Sequence, residues 1–137
     1  MGTNVATGIE TVKLWKIDYT GVLQTGASIT ASYVAGKLHK TVVKDENWIS
    51  GKRGIVEEFK DANGRVVLKR IWESDMKALN TYYIYDSFGD ICYVVPPLVT
   101  QNTFTEETSD PVFEKYIYAY HYDSRRRVIE KEVPGKG

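Results

Sequence analysis

The sequence predicts an all-β chain of antiparallel β-hairpin repeats forming a twisted, curved open sheet, with at most one short helix. Three observations carry this expectation. The ordered-looking stretches are dominated by Val, Ile, Thr and Tyr, the β-branched and aromatic residues that suit a pleated surface. The run Tyr116-Ile117-Tyr118-Ala119-Tyr120-His121-Tyr122 alternates with a period of two, which places four tyrosines on one face of a strand and would scatter them around a helix. Short Asp-initiated turn signals also recur between strand candidates.

Composition sets the outer bounds. The 137 residues carry 18 Lys and Arg against 18 Asp and Glu, so the formal net charge is zero. Nucleic acid and anionic membrane surfaces both call for a basic excess, and neither is an expected partner. Apolar residues at 42% and charged residues at 26% describe an ordinary folded domain rather than a disordered tail. No apolar run is long enough to insert in a membrane as a helix, and no signal peptide is visible within the segment. The lone Cys92 cannot form an internal disulfide, and with His39 and His121 it cannot complete a zinc site of Cys and His ligands. The unusual feature is tyrosine, with 10 Tyr against 4 Phe and 3 Trp.

Strands are expected at residues 11–18, 28–33, 38–44, 54–60, 65–72, 81–86, 91–95, 116–122 and 128–133, where alternating or β-branched runs are bounded by Gly, Asn, Asp or Ser. A helical turn is expected within 74–79, capped by Ser74 or Asp75. Residues 96–111 are rich in Pro and Thr without sustained alternation and read as a long exposed loop or a short excursion from the sheet. The chain thus divides into N-terminal strands at 1–54 and a run of hairpins at 55–137 with a loop insertion at 96–111.

Three segments of the second part stack on one another. Phe59-Lys60-Asp61-Ala62-Asn63-Gly64-Arg65-Val66, Tyr85-Asp86-Ser87-Phe88-Gly89-Asp90-Ile91 and Tyr122-Asp123-Ser124-Arg125-Arg126-Arg127-Val128 share one plan. An aromatic strand leads into Asp, then two variable residues, Gly, a polar residue and an aliphatic return strand. The repeat-turn positions are Asp61, Gly64, Asp86, Gly89 and Asp123. Asp closes the start of such a turn through its side chain, and Gly accepts positive φ near its end. The third segment has Arg126 where the others have Gly, so a different turn geometry is expected there. A hairpin of this size cannot bury its own face and must stack on neighbours.

On these motifs, residues 59–70, 82–97 and 120–137 resemble the tyrosine–aspartate (YD) repeats of bacterial Rhs (rearrangement hotspot) proteins. With Tyr82-Tyr83-Ile84-Tyr85-Asp86 and Val94-Val95-Pro96-Pro97-Leu98, the match is to the early repeat region of large Rhs-type proteins of Bacteroidetes. It extends more weakly to Tyr33-Val34-Ala35-Gly36-Lys37-Leu38 and Asp45-Glu46-Asn47. The resemblance implies a long exported or cell-surface polypeptide whose hairpins coil into a β-sheet shell, of which this chain is a fragment. Such a shell can enclose a variable C-terminal toxin or effector. The implied role is non-enzymatic and structural, with neighbouring repeats as partners and self-association through sheet edges.

The second expectation is a cell-surface carbohydrate- or peptide-binding module, with Tyr116, Tyr118, Tyr120 and Tyr122 as a candidate ligand platform. Against it, the same rings can cover a sheet face and pair across strands. His121 lies opposite the stripe with Ile117 and Ala119 and reads as a hydrogen-bonded sheet residue. Glu57-Glu58 and Glu106-Glu107 are neighbours in extended chain, face opposite ways and cannot flank one glycosidic bond, so they read as solvated charges. Asp61, Asp86 and Asp123 sit one to a hairpin and are explained by turn formation rather than metal ligation. Arg125-Arg126-Arg127 reads as a solvated hairpin tip, and Cys92, among Ile91, Tyr93 and Val94, as a buried thiol. No catalytic residue, metal site or cofactor is assigned.

Overall fold

The computed structural model describes residues 2–3, 11–21, 23–44, 46, 48–106, 113, 116–123, 125 and 127–132. Among the described residues the chain is nearly all β, with 59% of them in strands that form antiparallel sheets, one large and one small, not closed into a barrel. It divides into two compact units, the first built from Met1–Leu14 and Ala31–Tyr82, the second from Trp15–Thr30 and Tyr83–Gly137. Each unit therefore draws on chain from both sides of residue 54.

In the first unit the strand order is β1 (Gly2–Thr3), β4 (His39–Lys44), β5 (Ile55–Lys60), β6 (Val66–Trp72) and the start of β7 (Ala78–Tyr85). Every pairing is antiparallel, with His39 opposite Lys60, Phe59 opposite Leu68 and Leu68 opposite Tyr82. Alternation sends Phe59, Leu68 and Trp72 into the core, where Val12 and Leu38 join them. The same core holds Glu57 and Arg70, at 5% and 0% exposure. Arg70 donates from Nε to Asn80 Oδ1 at 2.8 Å and from Nη2 to the carbonyl of Thr11 at 2.8 Å. Glu57 accepts from Trp72 Nε1 at 2.7 Å and pairs with Lys40 Nζ at 3.4 Å. With Arg70 Nη1 at 4.0 Å as its third partner, Glu57 is thus an inward residue and not the solvated charge expected from its acidic neighbour. A charge survives in a core only under such pairing.

In the second unit the C-terminal half of β7 is followed by β8 (Ile91–Val95), β10 (Tyr118–Tyr122) and β11 (Val128–Glu132). The small sheet has the order β2 (Lys13–Thr20), β3 (Leu23–Ser32) and β9 (Thr103–Thr105). Its centre is Phe104, 1% exposed, with ring centroids 4.9 Å from Tyr93, 5.5 Å from Trp15 and 6.2 Å from Phe113. At Gly26 the strands β3 and β9 come so close that an added Cβ would collide with the carbonyl of Phe104 and lie 2.9 Å from Thr105 Cα.

Two local expectations change. Residues 73–77 form a loop, not a helical turn, and β7 begins at Ala78. Ser74 does act as a cap, its Oγ accepting from the amides of Met76 at 3.3 Å and Lys77 at 3.1 Å. The bond from Glu73 N–H to the Lys77 carbonyl then turns the chain back into a strand before a helix can propagate. The loop expected at 96–111 contains β9, whose three residues pair with Gly26, Ala27 and Ser28. Its apolar signal is the single residue Phe104, too short for alternation to reveal.

Candidate functional site

The three Asp turns are built alike. In the first, Asp61 N–H donates to the Arg65 carbonyl and Gly64 N–H to the Asp61 carbonyl, both at 3.0 Å. Asp61 Oδ1 accepts from the amides of Asn63 and Arg65 at 2.9 and 3.0 Å. In the second, Asp86 N–H donates to the Asp90 carbonyl and Gly89 N–H to the Asp86 carbonyl, again at 3.0 Å. Asp86 Oδ1 accepts from Phe88 and Asp90 at 2.9 and 3.1 Å. In the third, Asp123 N–H reaches the Arg127 carbonyl at 3.0 Å, and Asp123 Oδ1 takes the amides of Arg125 and Arg127 at 2.9 Å. Gly64 and Gly89 stand at φ +78° and +88°, in the region that favours glycine. Arg126, where a different turn geometry is expected, lies outside the described residues; the bonds of Asp123 to Arg125 and Arg127 match those of the other two turns.

The match extends into the strands. Lys60 pairs with Val66 and Phe59 with Leu68, skipping Val67. Tyr122 pairs with Val128 and His121 with Glu130, skipping Ile129. A β-bulge therefore follows the turn at the same place in the first and third hairpins. It also shows that His121 occupies the inward position held by Phe59 in the first hairpin.

Tyr118, Tyr120 and Tyr122 lie on the less buried side of β10, whereas Tyr116 precedes that strand. Tyr118 is the exposed member at 38%, while Tyr116, Tyr120 and Tyr122 are half-buried. Tyr122 donates its hydroxyl proton to the carbonyl of Ile91 at 2.5 Å, and Lys131 Nζ sits 5.6 Å from the centroid of the Tyr120 ring.

The opposite side of β10 carries the polar cluster that no sequence motif announces. His121 Nε2 lies 2.6 Å from Glu106 Oε1. Tyr93, wholly buried in β8, donates its hydroxyl proton to Glu106 Oε2. Gln24 of β3 directs its amide toward Glu106 Oε2 at 3.5 Å and toward the Tyr120 carbonyl at 3.4 Å. Glu106 is itself fixed by a bond from its N–H to the Thr25 carbonyl at 2.7 Å. Burial, reinforced by the carboxylate it donates to, pushes the Tyr93 hydroxyl above the ordinary tyrosine range. Glu106, with 13% of its side chain exposed, is an interior acceptor and not a solvated charge; Glu107 lies outside the described residues. The legible signal was parity: His121 shares its face with buried Ile117 and Ala119, and an inward imidazole needs a polar partner.

A cleft of about 300 Å³ opens beside this cluster, lined in part by Tyr19, Gln24, Asp86, Phe88 and His121. Tyr19 and Phe88 are 52% and 74% exposed, so the lining offers exposed rings beside the polar side chains of Gln24, Asp86 and His121. Such a cleft can hold a small group by ring stacking and orient it by hydrogen bonds. Cys92 is buried, its thiol 3.7 Å from the Asp90 carbonyl. Comparison of the chain with protein-family models, with curated proteins and with solved structures returns no match.

Proposed function

We propose that this chain is a non-enzymatic structural repeat module of a large exported Rhs-type protein, contributing hairpins to a β-sheet shell that encloses a C-terminal toxin or effector. The observation that carries the reading is the shared plan of the three Asp turns, in which the Asp side chain takes the amides two and four residues on and the Asp N–H reaches the carbonyl four residues on, together with the matching bulge in the first and third hairpins. A repeated unit with a fixed turn adds to a sheet edge with fixed register, which is what a wall of many hairpins needs.

Exposure along the return strands supports the same reading. Val67 and Cys92, which follow the first and second turns at matching places, are 6% and 0% exposed, whereas Ile129 of β11 is 65% exposed. β6 and β8 each pair on both sides, and β11 pairs with β10 alone among the described residues. A further antiparallel strand laid on β11, from a neighbouring repeat or a second copy, accounts for the uncovered aliphatic face.

The test uses the full-length parent protein. Its C-terminal segment should resist added protease while the hairpins are intact and become digestible when residues 55–137 are deleted. Equal rates of digestion in the two proteins would overturn the proposal.

A further inference from the structure

In the first unit the antiparallel register fixes which side chains share a face, since residues directly opposite one another point the same way. One face of β4–β7 holds Glu57, Phe59, Leu68, Arg70 and Trp72, the core described above. The other face has an order of its own. Val43 lies opposite Val56, Val56 opposite Ile71 and Ile71 opposite Leu79, so four aliphatic side chains form one row across four strands. Val43 is 59% exposed and Ile71 42%. Two residues along each strand, Thr41, Glu58, Lys69 and Thr81 form a second row in the same register. Beyond the aliphatic row the strands end in two loops that carry the exposed Ile49 and Met76, and Lys52 N–H ties these loops together by donating to Asp75 Oδ1 at 2.7 Å.

An aliphatic row exposed on a sheet face is what a second layer covers, and the order of residues along the two rows selects that layer. A two-fold axis parallel to the strands, midway between β5 and β6, exchanges β4 with β7 and β5 with β6. Laid on a second copy by that axis, Val56 faces Ile71 of the copy, Val43 faces Leu79 and Thr41 faces Thr81. Glu58 faces Lys69 of the copy and Lys69 faces its Glu58, so both charges of the second row meet opposite ones. The loop of Ile49 comes to lie over the loop of Met76. The face is therefore complementary to itself. Aligned sheets pack face to face about 10 Å apart, a gap that Glu and Lys stems can cross while their ends meet. A surface of one charge sign could satisfy Glu58 or Lys69 but not both.

We infer that this second face of β4–β7 is a homodimer interface, in which two copies of the chain pack sheet on sheet across a two-fold axis. Val43, Val56, Ile71 and Leu79 of both copies form its apolar centre, and two ion pairs between Glu58 and Lys69 lie beside it and set the alignment. The contact uses a sheet face and no free edge. It is distinct from strand addition at β11 and does not depend on the chain being part of a shell.

The experiment is sedimentation equilibrium of the whole chain between about 10 µM and 1 mM, where a small interface of this kind should show a reversible monomer–dimer step. Val43→Lys, at an exposed position outside the core, should weaken dimerisation about tenfold or more. Glu58→Lys and Lys69→Glu each set like charges against one another in both pairs, and each should raise the dimer dissociation constant about tenfold. Mixed in equal amounts, these two variants should prefer one another, because every lysine then faces a glutamate. The double variant Glu58→Lys/Lys69→Glu should dimerise as the parent chain does. Strand addition at β11 predicts no such rescue. A monomer at every concentration up to about 1 mM, dimerisation indifferent to Val43→Lys, or single charge variants that fail to bind one another would overturn the inference. If Val43→Lys loses the tryptophan emission of the folded chain, the charge-swapped pair decides the matter.

Discussion

Glu106 Oε1 and His121 Nε2 lie 2.6 Å apart, and this contact fastens the end of β9 to the middle of β10. The Tyr93 hydroxyl meets the other oxygen of the same carboxylate, so one acidic side chain joins three strands of the second unit. Removing a buried carboxylate leaves its donors unsatisfied, which costs more than the lost bond alone. Glu106→Leu should therefore lower unfolding stability by about 2–4 kcal/mol in urea denaturation, and Glu106→Gln by less than Glu106→Leu.

Alkaline stability follows from Tyr93. Its hydroxyl titrates above the ordinary tyrosine range in the folded chain, first because it is buried and second because it donates to Glu106. The neutral form is favoured by folding, so this contribution is fully present below the unfolded tyrosine value near pH 10 and is lost as pH rises above it. Each tyrosine held neutral adds a slope of about −1.4 kcal/mol per pH unit in that window. Tyr33 and Tyr82 are raised as well, both by burial first. Tyr93→Phe should make the fall in stability between about pH 10 and 12 shallower, as followed by chemical denaturation at successive pH values.

The Asp turns predict a graded response. Asp61→Ala removes the acceptor of two backbone amides and should cost about 1–3 kcal/mol, whereas Asp61→Asn keeps that acceptor and should cost well under half as much. Arg65 is partly exposed, so its ion pair with Asp61 adds little, and Arg65→Ala should cost about 1 kcal/mol or less in the same assay.

At Gly26 the constraint is proximity. A methyl group there meets the Phe104 carbonyl, which is backbone and cannot step aside without opening the β3–β9 pairing. Gly26→Ala should destabilise the protein by about 1–3 kcal/mol and raise amide exchange at Thr105 and Ala27 selectively. Unchanged exchange at those positions would show that the strands separate without cost.

Arg70 tests the charged core of the first unit. Arg70→Met leaves Glu57 facing Lys40 at 3.4 Å and Trp72, without the guanidinium 4.0 Å away, and strips Asn80 and the Thr11 carbonyl of a donor. The expected loss is about 3–5 kcal/mol. Combined with Glu57→Gln it should fall short of the sum of the two single losses, since the residues belong to one network.

Strand identity was legible along most of the chain because a strand buried on one side writes its period into local sequence. The alternation at residues 54–60, 65–72 and 116–122 and the Asp-initiated turns correspond to β5, β6, β10 and the bonded turns between strands. The turn aspartates were readable because their bonds span only a few residues. Residues 74–79 were misread because a serine cap looks the same whether a helix or a strand follows it.

Sequence alone determined what depends on neighbours along the chain: the β class, the hairpin punctuation, the inward parity of His121 and the recurrence of the Asp turn. Tertiary structure alone decided which distant side chains meet. Glu57 and Glu106 are acidic residues beside acidic residues, indistinguishable in sequence from solvated charges, yet each is taken inward by the pairing of its strand and is stabilised there by donors remote in sequence: Trp72, Lys40 and Arg70 for the first, Tyr93 and His121 for the second. Burial of a charge depends on partners gathered from several strands, and no local pattern encodes their arrival.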